Sequence, residues 1–219
     1  ATWLERYADP REAEHRGFEP SYVVANYYEG PDNFLGAHSD PVSVIGPWAT
    51  VASLTFGSAR KFAMKPVGVV KDCTGERITS YSIRAPHNSL MVFWPGFQEF
   101  FRHEVPKDKG LFTHAISGAG RLNFTFREFA RTVSGRAPTC KCGKRCGLKP
   151  VLKVSENRGR YFWSCRNPRK ATGKYSSCDF FQWDDEILRG ADARARANAE
   201  KVARGPPSAI VFASEKSLG

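Results

Sequence analysis

From about Ser21 to Phe129 the chain alternates short runs rich in β-branched and aromatic residues with turn-forming residues, which restricts it to a mainly-β architecture. The runs are Tyr22–Tyr28, Ala49–Phe56, Arg77–Ile83, Leu90–Trp94 and Arg121–Arg127. Between them stand Glu29-Gly-Pro-Asp-Asn33, Phe56-Gly-Ser58, Asp72-Cys-Thr-Gly75 and Trp94-Pro-Gly96, whose Gly, Pro, Asn and Asp supply the backbone angles of tight turns. Many short strands with regular turns predict a sandwich, barrel or jelly roll. The charged opening, Ala1 to Arg16, is expected to be helical. Residues 131–139 read as a linker, and a cysteine-rich β module follows over 140–184. The Ala-, Arg- and Glu-rich stretch from Asp184 to Arg204 predicts a polar helix, stopped by Gly205-Pro206-Pro207, with a disordered tail to 219.

Composition narrows the class of partner. A formal charge of +11 and a pI near 9.6 favour a polyanion, because Lys and Arg displace counterions from phosphates. No apolar run approaches the length that spans a bilayer, so no membrane partner is expected, and the start is not a secretory signal. The first residue is not Met, as expected of a trimmed or partial chain. Of six cysteines, Cys140, Cys142, Cys146, Cys165 and Cys178 crowd into the last third. Spacings of C-x-C and C-x-x-x-C point to a metal rather than to a disulfide scaffold, whereas Cys73 stands apart as an ordinary thiol.

The sharpest chemical feature is His38-Ser39-Asp40, with His103 well downstream. An H-x-D at a strand end puts imidazole and carboxylate on one side of the pleat. A distant His from another strand would complete one face of an octahedron and leave the opposite positions open, as non-haem Fe(II) oxygenases require. Taken alone, H-x-D is common in polar turns. The run Arg121–Arg127 adds weight, since its alternation puts Arg121, Asn123, Thr125 and Arg127 on one face and Leu122, Phe124 and Phe126 on the other. A solvated polar face is the ordinary explanation. Two guanidinium groups beside Asn and Thr would equally suit a dicarboxylate, with Asn26 and Tyr28 on a common strand face to finish the pocket.

In order and spacing, Asn26-x-Tyr28, His38-x-Asp40, His103 and Arg121-Leu-Asn-Phe-Thr-Phe-Arg127 resemble the signature series of the AlkB family, from about Phe18 to Phe129 and including Phe-Gly-Ser-Ala-Arg-Lys-Phe at 56–62. The resemblance implies a double-stranded β-helix (jelly-roll) core over residues 1–130. It implies Fe(II) held by His38, Asp40 and His103, and Arg121 paired with the far carboxylate of 2-oxoglutarate. Asn26, Tyr28, Asn123 and Arg127 would line the rest of the cosubstrate site. The implied activity is oxidative dealkylation of nucleobases with Fe(II), O2 and 2-oxoglutarate. Two departures bear on substrate choice. Val42 stands where repair members often carry an acidic residue, and the nucleotide-recognition lid before the Asn-x-Tyr strand is short or missing.

Behind this core, five cysteines compete for the four places of a tetrahedral zinc that would staple a unit too small for a core of its own. The segment Cys140 to Trp183 resembles the GRF-type zinc finger, named for Gly159-Arg160-x-Phe162 as they stand here. The family pattern implies Cys140, Cys142, Cys165 and Cys178 as ligands, with Cys146 as the alternate, and single-stranded DNA as partner. Lys144, Arg145, Arg158 and Arg160 are candidates for phosphate contacts, and the interleaved Tyr161, Phe162 and Trp163 for base stacking, with Tyr161 and Trp163 the chosen pair, although some of the three must pack the small core. The expected protein is a monomeric nuclear nucleic-acid demethylase, single-stranded DNA being the favoured substrate. An RNA or N6-methyladenine demethylase is the alternative within enzymes. A nucleic-acid-binding adaptor with an inactive oxygenase core is the alternative from another class.

Overall fold

The structure, a computed structural model, describes residues 18–70, 76–110, 112–151, 157, 160–166, 169–171, 174–176, 178–184 and 186. The expected opening helix, Cys73, Arg158 and most of the expected polar helix and tail lie outside the described residues.

Two four-stranded antiparallel sheets face each other. One runs β1 (Tyr22–Tyr28), β8 (Arg121–Arg127), β3 (Val51–Gly57), β6 (Ser89–Phe93), and the other β2 (Leu35–His38), β7 (Phe101–Val105), β4 (Arg60–Pro66), β5 (Tyr81–Ala85). Their inner faces meet in a core that includes Val51, Met91 and Phe93 from the first sheet and Phe62, Met64, Phe101 and Val105 from the second. This is the jelly roll that the family resemblance implies, one of the three architectures the strand pattern allows. β1 and β8 coincide with the expected runs, and β3, β5 and β6 overlap theirs.

Three strands escape the sequence pattern, for local reasons. Arg60-Lys-Phe-Ala-Met-Lys-Pro66 contains no β-branched residue, and β2 has four residues. β7 alternates buried Phe101, His103 and Val105 with Arg102 and Glu104, a period partly hidden by the charges.

A fully buried arginine fixes the loops around the site. Arg60 donates from Nη1 to Gly30 O (2.9 Å) and from Nη2 to Asn33 O (2.7 Å) and Pro106 O (2.9 Å). It thereby ties the turn before β2 to the one after β7. At the end of β3, Gly57 has φ +86°, and an added Cβ would lie 2.4 Å from Gly120 O, so only glycine fits.

The third unit is a small sheet, β13 (Phe181–Trp183), β10 (Tyr161–Ser164), β9 (Gly147–Pro150), with a two-stranded ribbon, β11 (Arg169–Ala171) and β12 (Lys174–Ser176). The expected linker differs from a free tether. Arg131–Gly135 is helical, and Val133 is buried with Cys140, Cys146, Leu148, Tyr161, Trp163 and Cys165. Val42, from the first unit, belongs to this same cluster, so the cysteine-rich unit is packed on the jelly roll.

Candidate metal centres and their surroundings

His38 closes β2 and pairs directly with His103 across to β7, with ring centroids 4.3 Å apart. Asp40 follows two residues later, and the three ligand atoms lie within 4.8 Å of one another. His38 Nδ1 donates to Gly36 O at 2.8 Å, which leaves Nε2 as the nitrogen free to bind a metal. Asp40 is held from two sides. Its N–H donates to Gln98 Oε1 at 2.8 Å, and its carboxylate takes a forked pair from Arg127, Nε to Oδ2 at 2.8 Å and Nη2 to Oδ1 at 3.1 Å. The three donors form one compact N,N,O face, the set that suits Fe(II).

His103 packs among Phe62, Phe93 and Phe97. Burial pulls its pKa down to about 4, with His38 and Arg127 acting the same way and Asp40 opposing them. The ring is therefore neutral at pH 7, the form that ligates metal. In the unfolded chain the same ring takes its proton near pH 6.5. The metal-free protein therefore loses stability as pH falls from about 6.5 to about 4, by about 3 kcal/mol at the full shift. Denaturant unfolding at pH 7 and pH 4.5 should show this loss, and His103→Asn should reduce it. A slope unchanged by His103→Asn would assign the acid sensitivity elsewhere.

The polar face of β8 points into the barrel. Arg121 is 1% exposed and donates from Nη2 to Thr55 Oγ1 at 3.0 Å, while its Nε and Nη1 have no partner among the described residues. Burial lowers its pKa to about 10, which still leaves it charged at neutral pH. A buried charged fork with two orphaned donors fits a bound carboxylate, because leaving such groups unpaired is costly. Tyr28, opposite Arg121 in the β1–β8 register, has its ring 5.2 Å from the guanidinium, and the half-buried Asn26 pairs with Asn123. Two expected pocket residues have other partners. Asn123 Nδ2 donates to Ser53 Oγ and Leu54 O, and Arg127 is engaged with Asp40.

In the third unit the Sγ atoms of Cys140, Cys142, Cys165 and Cys178 lie within 4.8 Å of one another, Cys142 and Cys165 at 3.6 Å; Cys146 is outside this group. The turn that delivers the first two is closed by Gly143 N to Cys140 O (2.8 Å) and Cys140 N to Lys144 O (2.9 Å). The Lys144 N–H lowers the Cys142 pKa to about 6, favouring the thiolate that zinc needs. Burial pushes the Cys146 thiol up.

The expected stacking residues need correction. Tyr161 is fully buried with its hydroxyl on Glu99, and Trp163 is 3% exposed with Nε1 on Asp184 Oδ2. Neither presents a face to a base. Period-two alternation in β10 sends these two inward and Phe162 outward. The outward group is Phe162 stacked on Phe181 at 5.1 Å, Phe181 edge-on to Trp183 at 5.0 Å, and the Arg160 guanidinium 4.0 Å over Trp183. Phe181 is 55% exposed. That alternation is legible in Tyr161-Phe-Trp-Ser164: of the three candidate aromatics Phe162 faces outward, while the chosen pair, Tyr161 and Trp163, packs the core. Arg145 donates to Ser134 O and Gly135 O, which ties it to the preceding helix, while Lys144 is exposed. Val42 gains an explanation too. At 2% exposure inside the finger cluster, an acidic side chain there would be buried without water.

The chain matches the profile of the 2OG-Fe(II) oxygenase superfamily over residues 2–127 and that of the GRF zinc finger over residues 138–187. It is 29% identical over 133 residues to the DNA oxidative demethylase ALKBH2 of Mus musculus, covering 59% of this chain and 51% of that protein. It is 28% identical over 116 residues to the alpha-ketoglutarate-dependent dioxygenase alkB homolog 3 of Bos taurus, covering 52% and 38%. It is 41% identical over 64 residues to the DNA-(apurinic or apyrimidinic site) endonuclease 2 of Saccharomyces cerevisiae, covering 29% of this chain and 11% of that protein. The chain thus spans about half the length, or less, of these curated relatives. The chain belongs to the 2OG-Fe(II) oxygenase superfamily, with AlkB proteins among its relatives and a GRF zinc finger behind the oxygenase domain.

Proposed function

We propose that this protein is an oxidative demethylase of N-alkylated nucleobases, that it acts on single-stranded or locally opened DNA, and that the finger holds the strand. The observation that carries the reading is the His38–Asp40–His103 face beside a buried Arg121 with two unpartnered donors. With O2 and 2-oxoglutarate, Fe(II) at this site would supply the oxidising chemistry that hydroxylates an N-methyl carbon, after which the hemiaminal collapses to formaldehyde and the free base.

The protein's own part is positional. His38 Nε2, His103 and Asp40 would hold the metal, and Arg127 keeps the Asp40 carboxylate oriented. Arg121 would anchor the distal carboxylate of the cosubstrate, with Tyr28 and Asn26 beside it. Phe62, Phe93 and Phe97 exclude water from the His103 side. A target base must be unstacked to reach the site, which favours unpaired DNA. The Phe162–Phe181–Trp183 cluster and Arg160, with the exposed Lys144 of the cysteine turn, offer the stacking and charge that bind single strands without reading sequence. DNA is favoured by the names of the mouse and yeast relatives, and a nuclear location follows from that substrate.

The test is formaldehyde and succinate release from N-methylated oligonucleotides, DNA and RNA, single- and double-stranded, with Fe(II) and 2-oxoglutarate present or omitted. Cofactor-dependent release, greatest on single-stranded DNA, is expected. Faster release from RNA would move the substrate to RNA. Silence across the panel from a protein with bound iron would leave the finger's binding as its role.

A further inference from the structure

Two adjacent buried residues link the finger to the iron face. In the short helix Phe97–Phe100, Gln98 is 1% exposed and Glu99 4%. Gln98 Oε1 accepts the N–H of Asp40 at 2.8 Å. Glu99 Oε1 accepts the N–H of Trp48 at 2.8 Å and the hydroxyl of Tyr161, from the finger, at 2.9 Å. Tyr161 opens β10, the strand that leads directly into Cys165 of the zinc quartet. A second connection runs along the chain itself. Val42, two residues beyond Asp40, is packed with Tyr161, Trp163, Leu148, Cys140 and Cys165. The Asp40 segment is therefore fixed at its amide by a residue whose neighbour is hydrogen-bonded to the finger, and just downstream by the finger's own core.

We propose that Tyr161 is a positioning residue for the oxygenase site: through Glu99 and Gln98 it holds Asp40 in ligating geometry, so that the folded zinc finger sets the iron affinity of the jelly roll. The proposal rests on the iron reading of His38, Asp40 and His103. The physical reason is that Glu99 Oε1, held between the Trp48 N–H and the Tyr161 hydroxyl, sets the orientation of a buried carboxyl whose Oε2 has no partner among the described residues. Removing the Tyr161 hydroxyl leaves Oε1 with the Trp48 N–H alone in a desolvated site, and any reorientation of Glu99 turns the short helix that carries Gln98. A bridge of this kind also accounts for valine at position 42, where the side chain packs into the finger.

The experiment is anaerobic Fe(II) titration of the full chain in the presence of 2-oxoglutarate, read by the visible charge-transfer band of the complex, with zinc content measured in parallel. Tyr161→Phe keeps the ring in the core and removes only the hydroxyl. It is expected to retain zinc and to weaken Fe(II) binding about three- to tenfold, the scale of one buried hydrogen bond. Glu99→Gln keeps an acceptor oxygen and is expected to bind Fe(II) within about twofold of the parent, whereas Glu99→Leu, which loses the Trp48 contact as well, is expected to weaken it at least as much as Tyr161→Phe. Adding Tyr161→Phe to Glu99→Leu should change little, because Glu99→Leu has already removed the Tyr161 contact. Parental Fe(II) affinity in zinc-loaded Tyr161→Phe and in Glu99→Leu would overturn the proposal and leave the iron site standing. Equal weakening by Glu99→Gln and Glu99→Leu would also overturn it, since the retained acceptor would then have no effect. No charge-transfer band in the parent protein would overturn the iron reading and this inference together.

Discussion

His38→Ala is expected to reduce formaldehyde release by at least about a thousandfold and to leave single-stranded DNA binding within about twofold of the parent. The side chain is 35% exposed and lies outside the hydrophobic core cluster, so its removal should cost no more than about 1 kcal/mol of stability. What is lost is one of two imidazoles on a three-donor face, and the remaining His103 and Asp40 cannot define that face alone. The exposed aromatics of the finger are untouched. Asp40→Ala should be equally inactive but less stable, because it leaves the largely buried Arg127 without its forked partner, a change that costs about 3–5 kcal/mol in comparable buried pairs. The pair of variants separates the ligand role from the structural one. Turnover by His38→Ala above a tenth of the parental rate would remove His38 from the iron site.

Cys165→Ser is expected to release zinc, weaken single-strand binding by at least about tenfold, and lower the unfolding midpoint of the whole protein rather than of the finger alone. Zinc binding in such small units is folding free energy, on the order of 10 kcal/mol, so its loss should expose Tyr161, Trp163 and Leu148. An independent finger would leave the jelly roll indifferent. Here the collapse uncovers Val42, whose burial contributes about 2 kcal/mol, and removes the Tyr161 donor from Glu99. Glu99, whose carboxyl burial already pushes its pKa up, then loses one of its two hydrogen-bond donors. Calorimetry of the metal-free and zinc-loaded protein reads this directly. A single unchanged transition for the jelly roll after zinc loss would show that the contact between the two units contributes nothing to stability.

Several features were legible because they depend on chain-local chemistry. The alternation of Arg121-Leu-Asn-Phe-Thr-Phe-Arg127 sets which side chains face the barrel interior, and β8 carries Arg121, Asn123 and Thr125 there. The spacing His38-x-Asp40 at a strand end survives any choice of partner strand, since period two is built into the pleat. Cysteine spacing likewise announces a metal before any contact is known. The register that sets His103 opposite His38 is a different matter, as it depends on β2 and β7, strands with weak signals of their own. Likewise, whether an arginine serves a cosubstrate or a neighbouring ligand is a question of distance. Arg127 turned to Asp40, while Arg121 kept two donors unpaired.

Residue type, period and spacing in the chain thus determined the β class and the donor chemistry of the two candidate metal sites, while the choice of Arg121 over Arg127 as the cosubstrate's partner came from the family resemblance. Tertiary structure decided how the two units relate. Tyr161 looks like a base-stacking aromatic in isolation, and Val42 like a lost recognition residue. Both prove to be contacts between the finger and the jelly roll, because burial depends on which surface another part of the chain covers, and no local pattern encodes that.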